Sequence, residues 1–157
     1  MLTNLKNFKY LFIVTFFFLS YEELISNEVN QLAVHGGYTF ETFEGQKATA
    51  VYLSFFNNGQ EDIEIQSFRT DIAEKVELHD IKVVDDVVKM VKLKNVKIER
   101  KRELFLQPGG KHLMLFNLKK KLNDKDSFTL EIQQKNNKIL ETTIMVLNKK
   151  LKDNFLN

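Results

Sequence analysis

A chain of 157 residues with no cysteine, and with 23 Lys and Arg set against 21 Asp and Glu, excludes several classes at once. A formal charge of +2 is too small to mark a nucleic-acid binder, and the missing thiols remove disulfides, Cys-based zinc sites, thiol nucleophiles and blue-copper ligation. The mixed charges and an apolar fraction of 43% describe one globular domain with terminal extensions. Residues 1–26 read as a signal peptide or an N-terminal anchor with a short linker. Lys6 and Lys9 precede the apolar run Leu11–Leu19, which is short for a membrane span and the right length for a signal core. Ser20 and Ser26 are small, but no A-x-A-like cleavage pattern stands out, so cleavage and retention both stay open.

A polar stretch to Gln31 leads into a first strand, Leu32–Tyr38, ended by Gly36-Gly37. Ala48–Phe56 is β-prone, with apolar groups on both faces, and reads as a central strand buried on both sides. Asn57-Asn58-Gly59-Gln60 turns the chain, and Ile63–Phe68 returns as the second arm of a hairpin. In Lys75–His79, Val76 and Leu78 alternate inward while Lys75, Glu77 and His79 face out. Asp85-Asp86 turns. In Val87–Leu93 an inward Val87, Val91 and Leu93 would leave Met90 and Lys92 outward. Short strands follow around Val96–Ile98 and Leu104–Leu106. The chain's one proline opens the turn Pro108-Gly109-Gly110, after which Leu113 and Leu115 point to the core and His112 and Met114 point away. Phe128–Ile132 and Ile139–Leu147 close the sheet, with Met145 in the core, and residues 148–157 form a charged tail, one helical turn or disordered. The domain so delimited is 32–147, an antiparallel β-sandwich or Greek-key barrel.

Three histidines and three methionines lie beyond the initiator, and His79, Met90, His112 and Met114 fall near one part of that fold. Thioether sulfur is soft and favours Cu(I) over zinc and hard ions, and imidazole suits copper as well. Two His and two Met can therefore make a four-coordinate Cu(I) site that needs no thiolate in an oxidising compartment. The alternative is ordinary packing for the methionines and idle surface histidines. His35 lies apart, as a surface residue or a secondary Cu(II) ligand. The lysines between Lys82 and Lys121 either steer an acidic partner or solvate a sheet face. No catalytic triad, phosphate loop or acid/base pair emerges, so no enzyme is expected.

The spacing His79-x10-Met90-x21-His112-x-Met114 resembles the metal-binding motif of the periplasmic copper chaperones with the PCu(A)C domain. The flanking Val76-Glu-Leu-His79, Val88-Lys-Met90, Leu106–Leu115 and Tyr52-Leu-Ser-Phe-Phe-Asn57 resemble it too. Two positions depart from the family pattern: Ile81 stands where a further methionine is frequent, and Arg100-Lys-Arg102 replaces a small-residue turn. The resemblance implies a cupredoxin-like barrel with Cu(I) held near its surface by His79, Met90, His112 and Met114. It implies a periplasmic monomer that passes copper to the CuA subunit of cytochrome c oxidase or to another copper-transfer protein. It implies no nucleic acid, and no membrane contact except through an uncleaved N-terminal segment. Exported copper buffering, or a β-sandwich interaction module without metal, are the competing readings.

Overall fold

The computed structural model describes residues 31–151, and the expected signal or anchor segment and most of the charged tail lie outside the described residues. Ten strands make up the domain: β1 (Leu32–Phe40), β2 (Ala48–Asn57), β3 (Ile63–Arg69), β4 (Ala73–Val84), β5 (Val87–Lys92), β6 (Val96–Ile98), β7 (Glu103–Leu106), β8 (His112–Leu118), β9 (Ser127–Gln134) and β10 (Ile139–Leu147). They follow the order β5-β4-β8-β2-β1-β10-β9-β3-β6, with β7 also on β2. Both arms of this path turn their apolar sides to one core. Val51, Leu78, Leu113 and Leu115 meet Leu130, Ile132, Ile144 and Val146 there. Period-two alternation is what makes this possible, since each strand presents one apolar face and one polar face.

The structure corrects four sequence expectations. Gly36-Gly37 does not end the first strand. Both glycines take positive φ (67° and 139°), and the register with β2 slips between His35 and Tyr38, so the pair is absorbed as a bulge within β1. β3 does not form a hairpin with β2: it pairs with β9 and β6, a long-range choice that a turn signal at Asn57–Gln60 cannot reveal. The sheet is not wholly antiparallel, because β1 runs parallel to β10 through Tyr38, Thr39 and Phe40. Met145 is 51% exposed rather than in the core, because its neighbours Ile144 and Val146 take the inward positions.

Burial departs from expectation in smaller ways. β2 alternates between buried and half-buried positions instead of being buried on both sides. Val87 is exposed, and from that stretch it is Leu93 that packs against the core. The β4–β5 hairpin runs out past the core to the turn at Asp85-Asp86, where both residues take positive φ as a two-residue hairpin requires. A helical turn starts at the tail, at Lys150 and Leu151.

Candidate metal site

The site face lies on the sheet formed by β5, β4, β8 and β2. Directly opposed residues share a face, and so do residues two apart along a strand. Leu78, Leu113 and Val51 form one cross-strand row, and all three are buried. That row fixes the register, because slipping it by one residue would send the leucines to solvent. The adjacent row, on the other face, is then Lys92, His79 and His112. The next row on that face is Glu77, Met114 and Ala50, and on the far side of His79 lies the pair Ile81 and Met90.

The register thus puts the two histidines side by side, with ring centroids 6.1 Å apart. Met114 is the diagonal neighbour of His79 on one side, and Met90 is its diagonal neighbour on the other. Met114 is half-buried, whereas Met90 is 53% exposed on the edge strand. His35, exposed on β1, belongs to none of these rows.

Both imidazoles lie away from the core, as the alternation predicts, yet they are covered: His79 is 8% exposed and His112 5%. Phe116 lies beside His79 at 5.8 Å between centroids, and Tyr52 beside His112 at 6.4 Å. Lys75 caps the Phe116 ring at 4.8 Å, a cation held over an aromatic face. Strand alternation could not give this cover, because it comes from side chains on three different strands.

Each ring has one nitrogen committed. His112 Nδ1 lies 2.8 Å from the Gly110 carbonyl, which can only accept, so Nδ1 carries the proton. The turn makes that carbonyl available. Pro108 stands at its second position, Gly109 at its third with φ 77°, and Gly110 N–H donates to the Gln107 carbonyl at 3.0 Å. These are the residue choices of a type II turn. His79 Nε2 lies 3.0 Å from Glu77 Oε2, while its Nδ1 is buried with no hydrogen-bond partner.

Glu77 is the residue that sequence reading left as a plain outward charge. Lys92 donates to its Oε1 at 2.6 Å, and Lys75 lies 3.2 Å from the same oxygen. The Lys92 bond first, then the His79 bond and Lys75, hold the carboxyl at about 2, below its ordinary 4.5. The Glu77 contribution to stability is therefore full above pH 4.5 and is lost as the pH falls toward about 2. Both lysines are more than half exposed (53% and 58%), so solvent screening keeps the effect under about 1 kcal/mol. Urea midpoints of the metal-free protein should converge with those of Glu77→Gln as the pH is lowered through this window. A constant gap would contradict the ion-pair assignment. Three of the lysines in the dense basic stretch are ion-paired to local partners, Lys92 to Glu77, Lys97 to Asp62 at 2.6 Å and Lys111 to Asp80 at 3.3 Å.

Chemically, the face offers two imidazoles, each with one nitrogen free of hydrogen bonds, and thioether sulfur on either side. Among the described residues no three His, Cys, Asp or Glu side chains group as a metal site, and the soft donors beside the two imidazoles are the thioethers of Met114 and Met90. A buried ring nitrogen with no partner is costly unless something fills its lone pair, and a metal ion would do so.

Comparison with known proteins gives one family and one fold. The LpqE-like lipoprotein family model matches residues 32–146. No curated protein sequence matches the chain. The copper-bound PCuAC domain from PmoF2 superposes with a TM-score of 0.62 at 12% identity, over 75% of this chain and 93% of that one. The apo PCuAC domain from PmoF1 gives 0.60 at 18% identity, over 76% and 95%. The solution structure of CuI-DR1885 from Deinococcus radiodurans gives 0.58 at 19% identity, over 83% and 87%. At such identities the likeness is one of fold, and it bears out the cupredoxin-like all-β class.

Proposed function

The chain belongs to the LpqE-like family, and from that premise we propose that it is an exported Cu(I) carrier whose cargo is held by His79, His112, Met114 and Met90. The observation that supports this most is the pairing of His79 with His112, flanked by Met114 on the same face. The orphaned His79 Nδ1 fits a soft cation that accepts both nitrogen and sulfur donors. The copper-bound PmoF2 domain and CuI-DR1885 share the fold, which makes copper the metal to test first.

A carrier must give its metal up, and the asymmetry of the face suits ligand exchange. The histidines are covered, Met114 is half-buried, and Met90 stands exposed on the outermost strand. An incoming partner ligand reaches Met90 first and can displace it while the other three hold. The partner is a copper-accepting protein outside the cytoplasm, with the CuA subunit of cytochrome c oxidase as the specific candidate. The family's lipoprotein character agrees with export. The protein acts as a carrier and not as a catalyst.

The test is direct transfer. Protein loaded with one equivalent of Cu(I) should metallate an apo CuA domain, with the CuA absorption bands growing in as Cu(I) leaves the carrier. Tight Cu(I) binding without any transfer would move the assignment to copper buffering. Absence of Cu(I) uptake under reducing conditions would leave an interaction module without metal.

A further inference from the structure

We infer that Glu77 is a positioning residue for the metal: its hydrogen bond to His79 Nε2 fixes the imidazole so that Nδ1 is the atom offered to Cu(I). The inference rests on the Cu(I) reading and adds which nitrogen binds and what aims it.

The argument is one of hydrogen inventory. A carboxylate at neutral pH has no proton to give, so across the 3.0 Å contact His79 Nε2 must be the donor. A neutral imidazole with a proton on Nε2 has its lone pair on Nδ1. That is the nitrogen found buried without a partner. In His112 the commitment is reversed. Its Nδ1 donates to the Gly110 carbonyl at 2.8 Å, which leaves Nε2 as the ligating atom. The two adjacent rings are therefore locked in opposite tautomers, one by a side chain and one by a turn carbonyl.

Glu77 is itself held firmly enough to do this. Lys92, the cross-strand partner of His79, donates to the other carboxylate oxygen at 2.6 Å, and Lys75 approaches that same oxygen at 3.2 Å. One oxygen serves the lysines and the other serves the histidine. Groups that orient a metal ligand in this way commonly change metal affinity by about 10–100-fold when removed.

The experiment combines nitrogen-resolved NMR with Cu(I) competition. In the metal-free protein, long-range 1H–15N spectra should show His79 protonated at Nε2 and bare at Nδ1, with His112 the reverse. On adding Cu(I) under reducing conditions, the His79 Nδ1 resonance should move while Nε2 keeps its proton. Glu77→Ala should weaken Cu(I) binding by about 10–100-fold in chelator competition. Glu77→Gln, which keeps an acceptor oxygen at that distance, should restore binding to within a few-fold of the parent. Parent-like affinity in Glu77→Ala, or metal attachment at His79 Nε2, overturns the inference while leaving the Cu(I) carrier standing. Failure of the unmodified protein to take up Cu(I) overturns the carrier reading and this inference with it.

Discussion

His112→Ala is expected to weaken Cu(I) binding by at least about a hundredfold, because removing a ligand should cost more than removing a group that merely orients one. The loss would be local. His112 is covered but lies on the face opposite Leu113, so the core row of Leu78, Leu113 and Val51 is left in place. The folded state should survive, with circular dichroism and near-parental melting as the check. Met114→Ala should act in the same direction, since Met114 is half-buried next to His112 on the same strand face. Met90→Ala should act more weakly on affinity and more strongly on transfer rate, because the exposed edge strand leaves this side chain free to exchange. Parental affinity in both His112→Ala and Met114→Ala would remove the proposed site.

The largest effect on stability is expected at Asn57. This side chain is fully buried, and it hydrogen-bonds three ways: Nδ2 donates to the carbonyls of Glu61 at 2.8 Å and Ile98 at 3.0 Å, and Oδ1 accepts from Gly59 N–H at 2.8 Å. The main chain of the same residue exchanges bonds with Arg102 and Lys101, each at 3.0 Å. Asn57 thus ties the end of β2 to β6 and to the turn before β7. Asn57→Ala would strand the Ile98 carbonyl and the Gly59 N–H in a buried site and leave the part-covered Glu61 carbonyl to water, at a cost of about 3 kcal/mol. In a domain of this size that is a fall in melting temperature of about 10 °C. The substitution lies away from the histidine face, so Cu(I) affinity of the folded protein should not change. A loss below about 1 kcal/mol in chemical denaturation would show that this network is not a structural tie.

Much of the strand pattern was legible because alternation is a local property. His112 and Met114 fall opposite Leu113 and Leu115 for the same reason that any two such positions do. The Asp85-Asp86 turn was legible from its residues. Pairing was not legible: β3 finds β9 and β6 across long stretches of chain, and nothing in Ile63–Arg69 names those partners. The bulge at Gly36-Gly37 was hidden because glycine marks a turn and a bulge equally well. At Gly37, an added Cβ would come within 2.9 Å of the Thr143 carbonyl, so the residue serves close approach to β10 rather than an end to β1.

The candidate site divides in the same way. The set His79, Met90, His112 and Met114 came from the resemblance of its spacing to the PCu(A)C motif, and strand register makes the two histidines neighbours with the two methionines on the diagonals of His79. Glu77 was visible only as an outward charge two residues before His79. Its part depends on Lys92 arriving from β5 and on which ring nitrogen faces it, and both follow from register. The cover over the imidazoles, from Tyr52, Phe116 and Lys75, was hidden for the same reason.

X-ray absorption at the copper edge of protein loaded with one equivalent of Cu(I) tests the central claim most directly. The proposed site predicts a shell that contains both imidazole nitrogen and thioether sulfur, and that loses nitrogen in His112→Ala and sulfur in Met114→Ala. A shell of nitrogen and oxygen alone, or one unchanged in both variants, would contradict it.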